Sequence, residues 1–96
     1  MSNLKQFAGR FQILSDPIRL QIILLLQNSE KCVGELCEIL NLSQPKVSYH
    51  LKLMLEAGLI KQRCSGTWCY YSLTTDIRNW IITECIGFLE CEALSS

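Results

Sequence analysis

Cysteine thiols are the side chains of this 96-residue chain that could do the widest range of chemistry. The six cysteines lie in three pairs along the chain: Cys32 and Cys37, Cys64 and Cys69, and Cys85 and Cys91. Thiolates bind soft metal ions, and they are oxidised reversibly to disulfides. In a reducing compartment such cysteines indicate metal binding, redox sensing or plain burial, rather than a disulfide framework.

The spacing within two of these pairs decides what the thiols could do together. Residues five apart on an ideal helix are about 140° out of register, so chelation by Cys32 and Cys37 would distort a helix between them. Cys37 also lies on an apolar stripe, where a cysteine can simply fill the core. Cys64 and Cys69 flank a turn: they face each other across a four-residue turn, and they are diagonal neighbours across a two-residue turn. Either arrangement could form a dithiol or donate a ligand.

A predicted helix-turn-helix is one of the elements that position these thiols. Residues 41–54 predict the start and body of a helix, because Ser43 is a good N-cap and Pro45 suits the first turn. A shorter helix, residues 33–40, precedes it, and Asn41 can adopt the left-handed conformation that ends a helix. The apolar face of the second helix consists of Val47, Leu51, Met54 and Leu55. Two helices joined by a tight turn, the second with a polar and basic outward face, are typical of proteins that place that helix in the DNA major groove.

The flanking segments complete the prediction of a winged helix-turn-helix. They are a first helix over residues 4–14, a second over 18–27 with Asp16 as its cap and Pro17 at the first helical position, a polar connection over 28–31, β-prone runs over 59–63 and 68–73 around Ser65-Gly66, and a last helix from Thr75 or Asp76. The two β-prone runs predict a hairpin, which would be the wing. The sequence thus predicts a mainly α (α+β) fold of about five helices and one β-hairpin wing, in a single domain spanning residues 1–96.

The predicted second helix and hairpin carry an excess of basic charge. The net charge of the chain is zero, but four Lys or Arg residues stand against a single Glu between positions 43 and 71. This local excess suits the phosphate backbone of DNA. The side chains that we expect to contact base edges are Gln44, Lys46 and Ser48. The expected phosphate contacts are Ser43, Tyr49, Lys52 and Arg63. His50 lies beside the apolar stripe, and it is either a partly buried, satisfied histidine or a further DNA contact.

Composition and motifs indicate how the protein assembles, where it is located and which class of protein it belongs to. The mean hydropathy is slightly positive, which is high for a small soluble monomer, so we expect a homodimer through the first and last helices. A two-fold protein matches DNA half-sites about 34 Å apart. The longest aliphatic run, Ile22 to Leu26, is too short to span a bilayer, and no signal peptide is visible, which predicts a cytoplasmic protein with no membrane partner. No paired carboxylates or phosphate loop accompany the single histidine, so we do not expect an enzyme.

Three stretches together resemble the ArsR/SmtB family of metal-responsive repressors. They are Leu14-Ser-Asp-Pro-Ile-Arg-Leu20, then Leu42-Ser-Gln-Pro-Lys-Val-Ser-Tyr-His-Leu-Lys52 running on to Glu56-Ala-Gly-Leu59, and Gly66-Thr-Trp-Cys-Tyr-Tyr-Ser-Leu73. They are similar to the start of the family's second helix, its recognition helix and its wing. Tyr49 stands where many relatives have a second histidine. The resemblance implies a dimeric winged helix-turn-helix protein that occupies double-stranded operator DNA until an inducer releases it, with no permanent cofactor.

A further match suggests the inducer. Cys32-Val-Gly-Glu-Leu-Cys37 resembles the Cys-Val-Cys-Asp-Leu-Cys segment of the family's arsenic-responsive repressors. The resemblance implies that Cys32 and Cys37 bind As(III), Sb(III) or another soft metal ion. Gly34 replaces the middle cysteine, and trivalent arsenic prefers three thiolates. The third ligand would therefore be another cysteine or a small thiol, and the further candidate ligands are Cys64, Cys69 and Cys91.

The alternative input is oxidation or persulfidation of thiols on the same fold. Cys91 lies where sulfide- and redox-responsive relatives carry a cysteine, but the partner position in the second helix is Leu24 here. The family's zinc site on the last helix needs an Asp-x-His motif, and Asp76 is followed by Arg78 instead, so a zinc sensor of that kind is not expected. The sequence leaves a metalloid-responsive repressor and a thiol-redox or persulfide-responsive repressor open.

Overall fold

The computed structural model describes residues 2–74, 78–83 and 86 of the chain. Its elements are α1 (Ser2–Ile13), α2 (Pro17–Asn28), β1 (Lys31–Cys32), α3 (Val33–Leu40), α4 (Gln44–Glu56), β2 (Ile60–Ser65) and β3 (Trp68–Leu73). Residues 78–83 are also helical and are labelled α5, while the predicted start of the last helix, Thr75 or Asp76, lies outside the described residues. The order of the elements confirms the predicted winged helix-turn-helix.

Side-chain caps begin the two helices whose starts the sequence marks most clearly. The Asp16 carboxylate accepts hydrogen bonds from the amides of Ile18 (2.8 Å) and Arg19 (3.3 Å) at the start of α2. The Ser43 hydroxyl accepts from the amide of Lys46 (3.4 Å) at the start of α4. These bonds satisfy backbone amides that have no partner within the helix, which confirms both predicted caps.

A left-handed residue makes the sharp turn between α3 and α4. Asn41 has φ 56° and ψ 48°, and its amide donates to the carbonyl of Cys37. The next amide, that of Leu42, donates to the same carbonyl at 3.1 Å. Asparagine tolerates this conformation better than most residues, so the turn that the sequence predicts at this position is confirmed.

The hydrophobic core joins α2, α3 and α4 to the base of the wing. The largest fully buried side chains are Ile22, Leu36, Leu51, Met54, Leu59 and Val47. Burying an aliphatic side chain of this size stabilises a fold by about 1.5–3 kcal/mol. Because Leu36 of α3 lies in the same cluster as three residues of α4, a displacement of α3 must be felt by α4.

The sheet has three strands in the order β1-β3-β2, all antiparallel. The hairpin β2–β3 is the predicted wing, and its paired residues run from Ile60↔Leu73 to Ser65↔Trp68. The third strand, β1, was not predicted: residues 28–31 read as a polar connection. Two residues are too few to show a period in the sequence, and β1 exists only because Lys31 pairs with Tyr71 and Cys32 with Tyr70.

Two surfaces of the helices remain apolar and exposed. On α2, Leu20 and Leu24 are exposed although the helix is central to the core. On the last helix, Ile82 and Ile86 are exposed four residues apart, which places them on one face. Within the part of the chain that the structure describes, no helix is both long enough and apolar enough to cross a bilayer.

Candidate DNA-binding face and thiol sites

The outward face of α4 carries the side chains that the sequence assigns to DNA. Gln44, Lys46, Ser48, Tyr49 and Lys52 are all exposed, and so is the capping residue Ser43. The Tyr49 side chain is 59% exposed, so its hydroxyl is free to reach a partner outside the protein. The face therefore presents amide, ammonium and hydroxyl groups at the start of a helix, the groups that contact base edges and phosphates.

His50 differs from its neighbours because it points into the protein. It is 6% exposed, and its Nδ1 atom is buried without a hydrogen-bond partner among the described residues. Burial lowers the pKa of His50 below the ordinary value of 6.5, although the negative charge of Asp16 opposes this shift. The structure thus places His50 in the core rather than on the exposed face, but it does not show the satisfied histidine of the buried alternative, since Nδ1 has no partner among the described residues.

Arg63, the predicted phosphate contact of the wing, is held in place by two neighbours. Its guanidinium donates to the carboxylate of Glu30 at 2.6 Å, and it lies over the ring of Tyr70, 5.0 Å from the ring centroid. The side-chain hydrogen bond and the charge of Glu30 raise the pKa of Arg63. Both partners of this ion pair are substantially exposed, so the guanidinium keeps access to solvent. Sequence reasoning missed Glu30, because nothing in its local pattern indicates a partner in a distant strand.

The register of the sheet places Cys32 on the opposite face from the wing cysteines. Arg63 pairs with Tyr70, and Tyr70 also pairs with Cys32, so these three residues form one row across the three strands. Cys64 and Cys69 form the next row. Since side chains alternate between the two faces of a sheet, Cys69 lies on the opposite face from Cys32.

Cys32 joins the sheet to α3. It is the last residue of β1 and the N-cap of α3, with an extended backbone (φ −89°, ψ 167°). Its amide donates to the Glu35 carboxylate at 3.0 Å. Backbone and side-chain hydrogen bonds with Cys32 lower the pKa of Glu35. A Cβ atom built on Gly34 would lie 3.9 Å from the Cys32 sulfur, so position 34 adjoins this thiol and has room for a side chain.

Cys37 is the second free thiol among the described residues. It is half-buried and packs against the core, while its carbonyl accepts the two amides of the α3–α4 turn. Cys32 and Cys37 are five positions apart, which on a regular helix corresponds to about 7.5 Å of rise. We therefore expect that an ion shared by both sulfurs would change the shape of the first turn of α3.

The wing cysteines form a disulfide in this structure. Cys64 and Cys69 face each other directly, with their Cα atoms 4.0 Å apart, and Gly66 and Thr67 form the tip between the paired residues Ser65 and Trp68. The tip thus has two residues, for which the sequence predicted diagonal neighbours, and that prediction is wrong: the turn is centred on Gly66 and Thr67, so Cys64 and Cys69 face each other. The expectation of free thiols does not hold for this pair, and it can donate a metal ligand only after reduction.

No third ligand accompanies Cys32 and Cys37 in the described ranges. Among residues 2–74, 78–83 and 86, no three His, Cys, Asp or Glu side chains converge as a metal site would require. Cys69 cannot complete the site without a rearrangement, because it lies on the other face of the sheet. Cys85 and Cys91 lie outside the described residues.

Comparison with known sequences identifies the family of the chain and several named relatives. Residues 16–62, which span α2 to the start of β2, match the family described as bacterial regulatory protein, arsR family. The chain is 40% identical over 82 residues to an arsenical resistance operon repressor of Bacillus subtilis, covering 84% of this chain and 78% of that protein. It is 48% identical over 71 residues to the protein of the same name in Escherichia coli, covering 73% and 61%. The chain therefore spans less than two thirds of the second relative.

A solved structure agrees with these matches. A homodimeric winged helix-turn-helix DNA-binding domain from Mycobacterium bovis, described as a possible ArsR-family transcriptional regulator, superposes with a TM-score of 0.73. The superposition covers 94% of this chain and 85% of that domain, at 25% identity.

Proposed function

The chain belongs to the arsR family of bacterial regulatory proteins, and from that premise we propose that it is a homodimeric transcriptional repressor that releases operator DNA when Cys32 and Cys37 bind arsenite or antimonite. The family is one of DNA-binding regulators rather than enzymes. The observation that carries the proposal is the position of the two thiols. Cys32 caps α3 and Cys37 lies within it, and α3 packs against the exposed, basic recognition helix α4.

DNA binding rests on the exposed face of α4 and on the wing. Gln44, Lys46 and Ser48 read base edges in the major groove, while Ser43, Tyr49, Lys52 and Arg63 hold phosphates. The first and last helices join two copies, so that two recognition helices meet two half-sites. The exposed apolar pair Ile82 and Ile86, together with the homodimeric relative, supports this assembly. Such a regulator works in the cytoplasm, beside the chromosome.

The inducer acts as a ligand of two thiolates, with a small thiol or a further cysteine as the third donor. Trivalent arsenic and antimony are soft ions that favour sulfur. The sulfurs of Cys32 and Cys37 must approach each other to share one ion, which distorts the first turn of α3. Leu36, which lies between them in the sequence, is completely buried and packs in the same cluster as residues of α4, so the distortion tilts or loosens the recognition helix. The ion then stabilises a form with low affinity for DNA.

The proposal is tested by titrating the reduced protein with arsenite and antimonite while it is bound to a fluorescent duplex from the DNA upstream of its own gene. We expect both ions to release the wild-type protein and neither to release Cys32→Ser or Cys37→Ser. Zinc, cadmium and a mild oxidant are added in parallel to compare inducers. The double variant Cys64→Ser/Cys69→Ser is the matched control, and it should respond to arsenite like the wild type. Arsenite release that survives both single substitutions would refute the proposed site.

A salt titration of the same complex tests whether the protein binds the phosphates of the duplex or retains it in some other way. The logarithm of the affinity should fall linearly with the logarithm of salt concentration, with a slope of about −0.9 for each phosphate neutralised. A flat response, or no binding of any duplex, would refute the assignment as a repressor.

A further inference from the structure

The wing holds a second thiol pair that the proposed arsenite site does not use. Cys64 and Cys69 occupy directly opposite positions in the hairpin, with a Cα–Cα distance of 4.0 Å. Six consecutive pairs, from Ile60↔Leu73 to Ser65↔Trp68, fix this register. The hairpin itself therefore keeps the two sulfurs adjacent, whether or not they are bonded. Two reacting groups that the fold already holds together combine far more readily than free ones.

The position of Cys64 and Cys69 favours a role in thiol–disulfide exchange over a role in stabilising the fold. Cys64 is exposed and Cys69 is half-buried, so small thiols and disulfides can reach the bond. The bond encloses only the turn residues 65–68. A disulfide stabilises a fold more when it closes a longer loop, so this one contributes little as a staple.

The pair also lies beside the DNA-facing group of the wing. The next row of the hairpin contains Arg63 and Tyr70, and the Arg63 guanidinium rests over the Tyr70 ring. The disulfide between Cys64 and Cys69, one row closer to the tip, holds β2 and β3 together beside this row. Without the bond, the exposed segment 64–68 is held only by its backbone hydrogen bonds and can fray.

We propose that Cys64 and Cys69 form a reversible redox site in the wing, which disulfides of low molecular weight close and thiols of low molecular weight open. The closed form binds the operator more tightly, because the tip of the wing beside Arg63 no longer has to be ordered on binding. This inference rests on the proposed function, since disulfides in the reducing compartment of a DNA-binding regulator are usually transient and redox-sensing.

The exchange needs an oxidant of the glutathione-disulfide class. The thiolate of the exposed Cys64 attacks one sulfur of the oxidant, which forms a mixed disulfide and releases one glutathione thiolate. The Cys69 thiolate then attacks the Cys64 sulfur, which forms the wing disulfide and releases the second glutathione thiolate. Two electrons pass from the cysteines to the oxidant, and the two cysteine protons end on the two glutathione molecules.

The test equilibrates the full chain with mixtures of reduced and oxidised glutathione. A Cys32→Ser/Cys37→Ser background removes the arsenite site. Free thiols are blocked by alkylation, and mass spectrometry locates the disulfide. We expect the Cys64–Cys69 bond to form and open reversibly as the mixture changes. Cys69→Ser should instead accumulate glutathione on Cys64, the intermediate of the exchange.

Operator binding is measured in the same mixtures by fluorescence anisotropy of the upstream duplex. The oxidised protein should bind about two- to tenfold more tightly, the range expected when a few side chains need no ordering on binding. Cys64→Ser/Cys69→Ser should bind like the reduced protein in every mixture. A pair that stays reduced throughout, or a closed bond that leaves the affinity unchanged, would overturn the proposal.

The two proposals fail in different ways. If neither redox form binds any duplex, the proposed function is refuted. The redox site is then judged by the reversible bond and by slower amide exchange at residues 64–68 in the oxidised form. If arsenite does not release the operator but operator binding still depends on the redox state, only the site at Cys32 and Cys37 is refuted.

Discussion

Replacing Gly34 by alanine should weaken arsenite binding without touching a ligand. Gly34 lies in the first turn of α3, and a Cβ atom there meets only the Cys32 sulfur, at an ordinary contact distance of 3.9 Å. The native turn therefore accepts alanine without strain. Alanine stabilises a helix by about 0.5–1 kcal/mol relative to glycine. If an ion bound by Cys32 and Cys37 must distort this turn, that extra stability opposes binding, and the apparent affinity falls about two- to fivefold.

The measurement is an arsenite titration of the reduced protein, followed by the ultraviolet absorbance of arsenic–thiolate bonds and by release of the operator duplex. Gly9→Ala is the matched control: Gly9 lies in α1, and a Cβ atom there meets nothing within 4 Å. It should leave the arsenite affinity unchanged. Gly34→Cys should act in the opposite direction, since it places a third thiol beside Cys32. We expect it to bind arsenite at least about tenfold more tightly, which is about 1.4 kcal/mol.

The result that would refute this reasoning is a stabilised Gly34→Ala protein with the wild-type affinity for arsenite. It would mean that α3 keeps its native turn when the ion binds. The mechanism of release through distortion of α3 would then be wrong, even if Cys32 and Cys37 were the ligands. An increase in affinity would refute it equally.

Three further predictions concern the DNA face and its supports. Lys46→Ala and Gln44→Ala should each weaken operator binding by about 1–3 kcal/mol with unchanged thermal unfolding; wild-type anisotropy would show that another face binds DNA. Glu30→Gln should strengthen operator binding in a salt-dependent manner, because the carboxylate that holds Arg63 at 2.6 Å competes with phosphate; equal salt titrations would refute this. Burial lowers the pKa of His50, so the folded state binds fewer protons than the unfolded state below about pH 6.5, and stability falls as the pH drops from that value to the folded pKa. His50→Gln should therefore make the denaturation midpoint depend less on pH across this range. An unchanged pH dependence in this variant would contradict the prediction.

The exposure of the predicted site residues shows which of them the apolar spacing of a helix can assign to the core or to solvent. The apolar spacing of α4 separates Val47, Leu51 and Met54, which are buried, from Gln44 and Lys46, which are exposed. His50 lies at the border of the stripe, where a shift of a few degrees in the docking of the helix decides between core and solvent. That docking depends on the packing of the whole core, so the sequence alone left two alternatives. The DNA and metal roles of these residues stay predictions.

The sequence by itself determined the helices, their caps, the Asn41 turn and the hairpin. The signals for these features act over a few residues: a cap hydroxyl and the next amides, an apolar residue every three or four positions, a glycine at a turn. They specify local structure before any distant contact forms, and the structure confirms them.

The tertiary structure alone decided how distant segments meet at the thiol sites. The pairing of Cys32 with Tyr70, the ion pair of Glu30 with Arg63, and the placement of Cys69 on the opposite face from Cys32 all depend on strand register. A strand of two residues has no period to read, and register follows from which faces the core buries. Local patterns therefore identified the cysteines and the recognition helix, whereas only the folded sheet showed that Cys32, beside α3, and the wing cysteines lie on opposite faces.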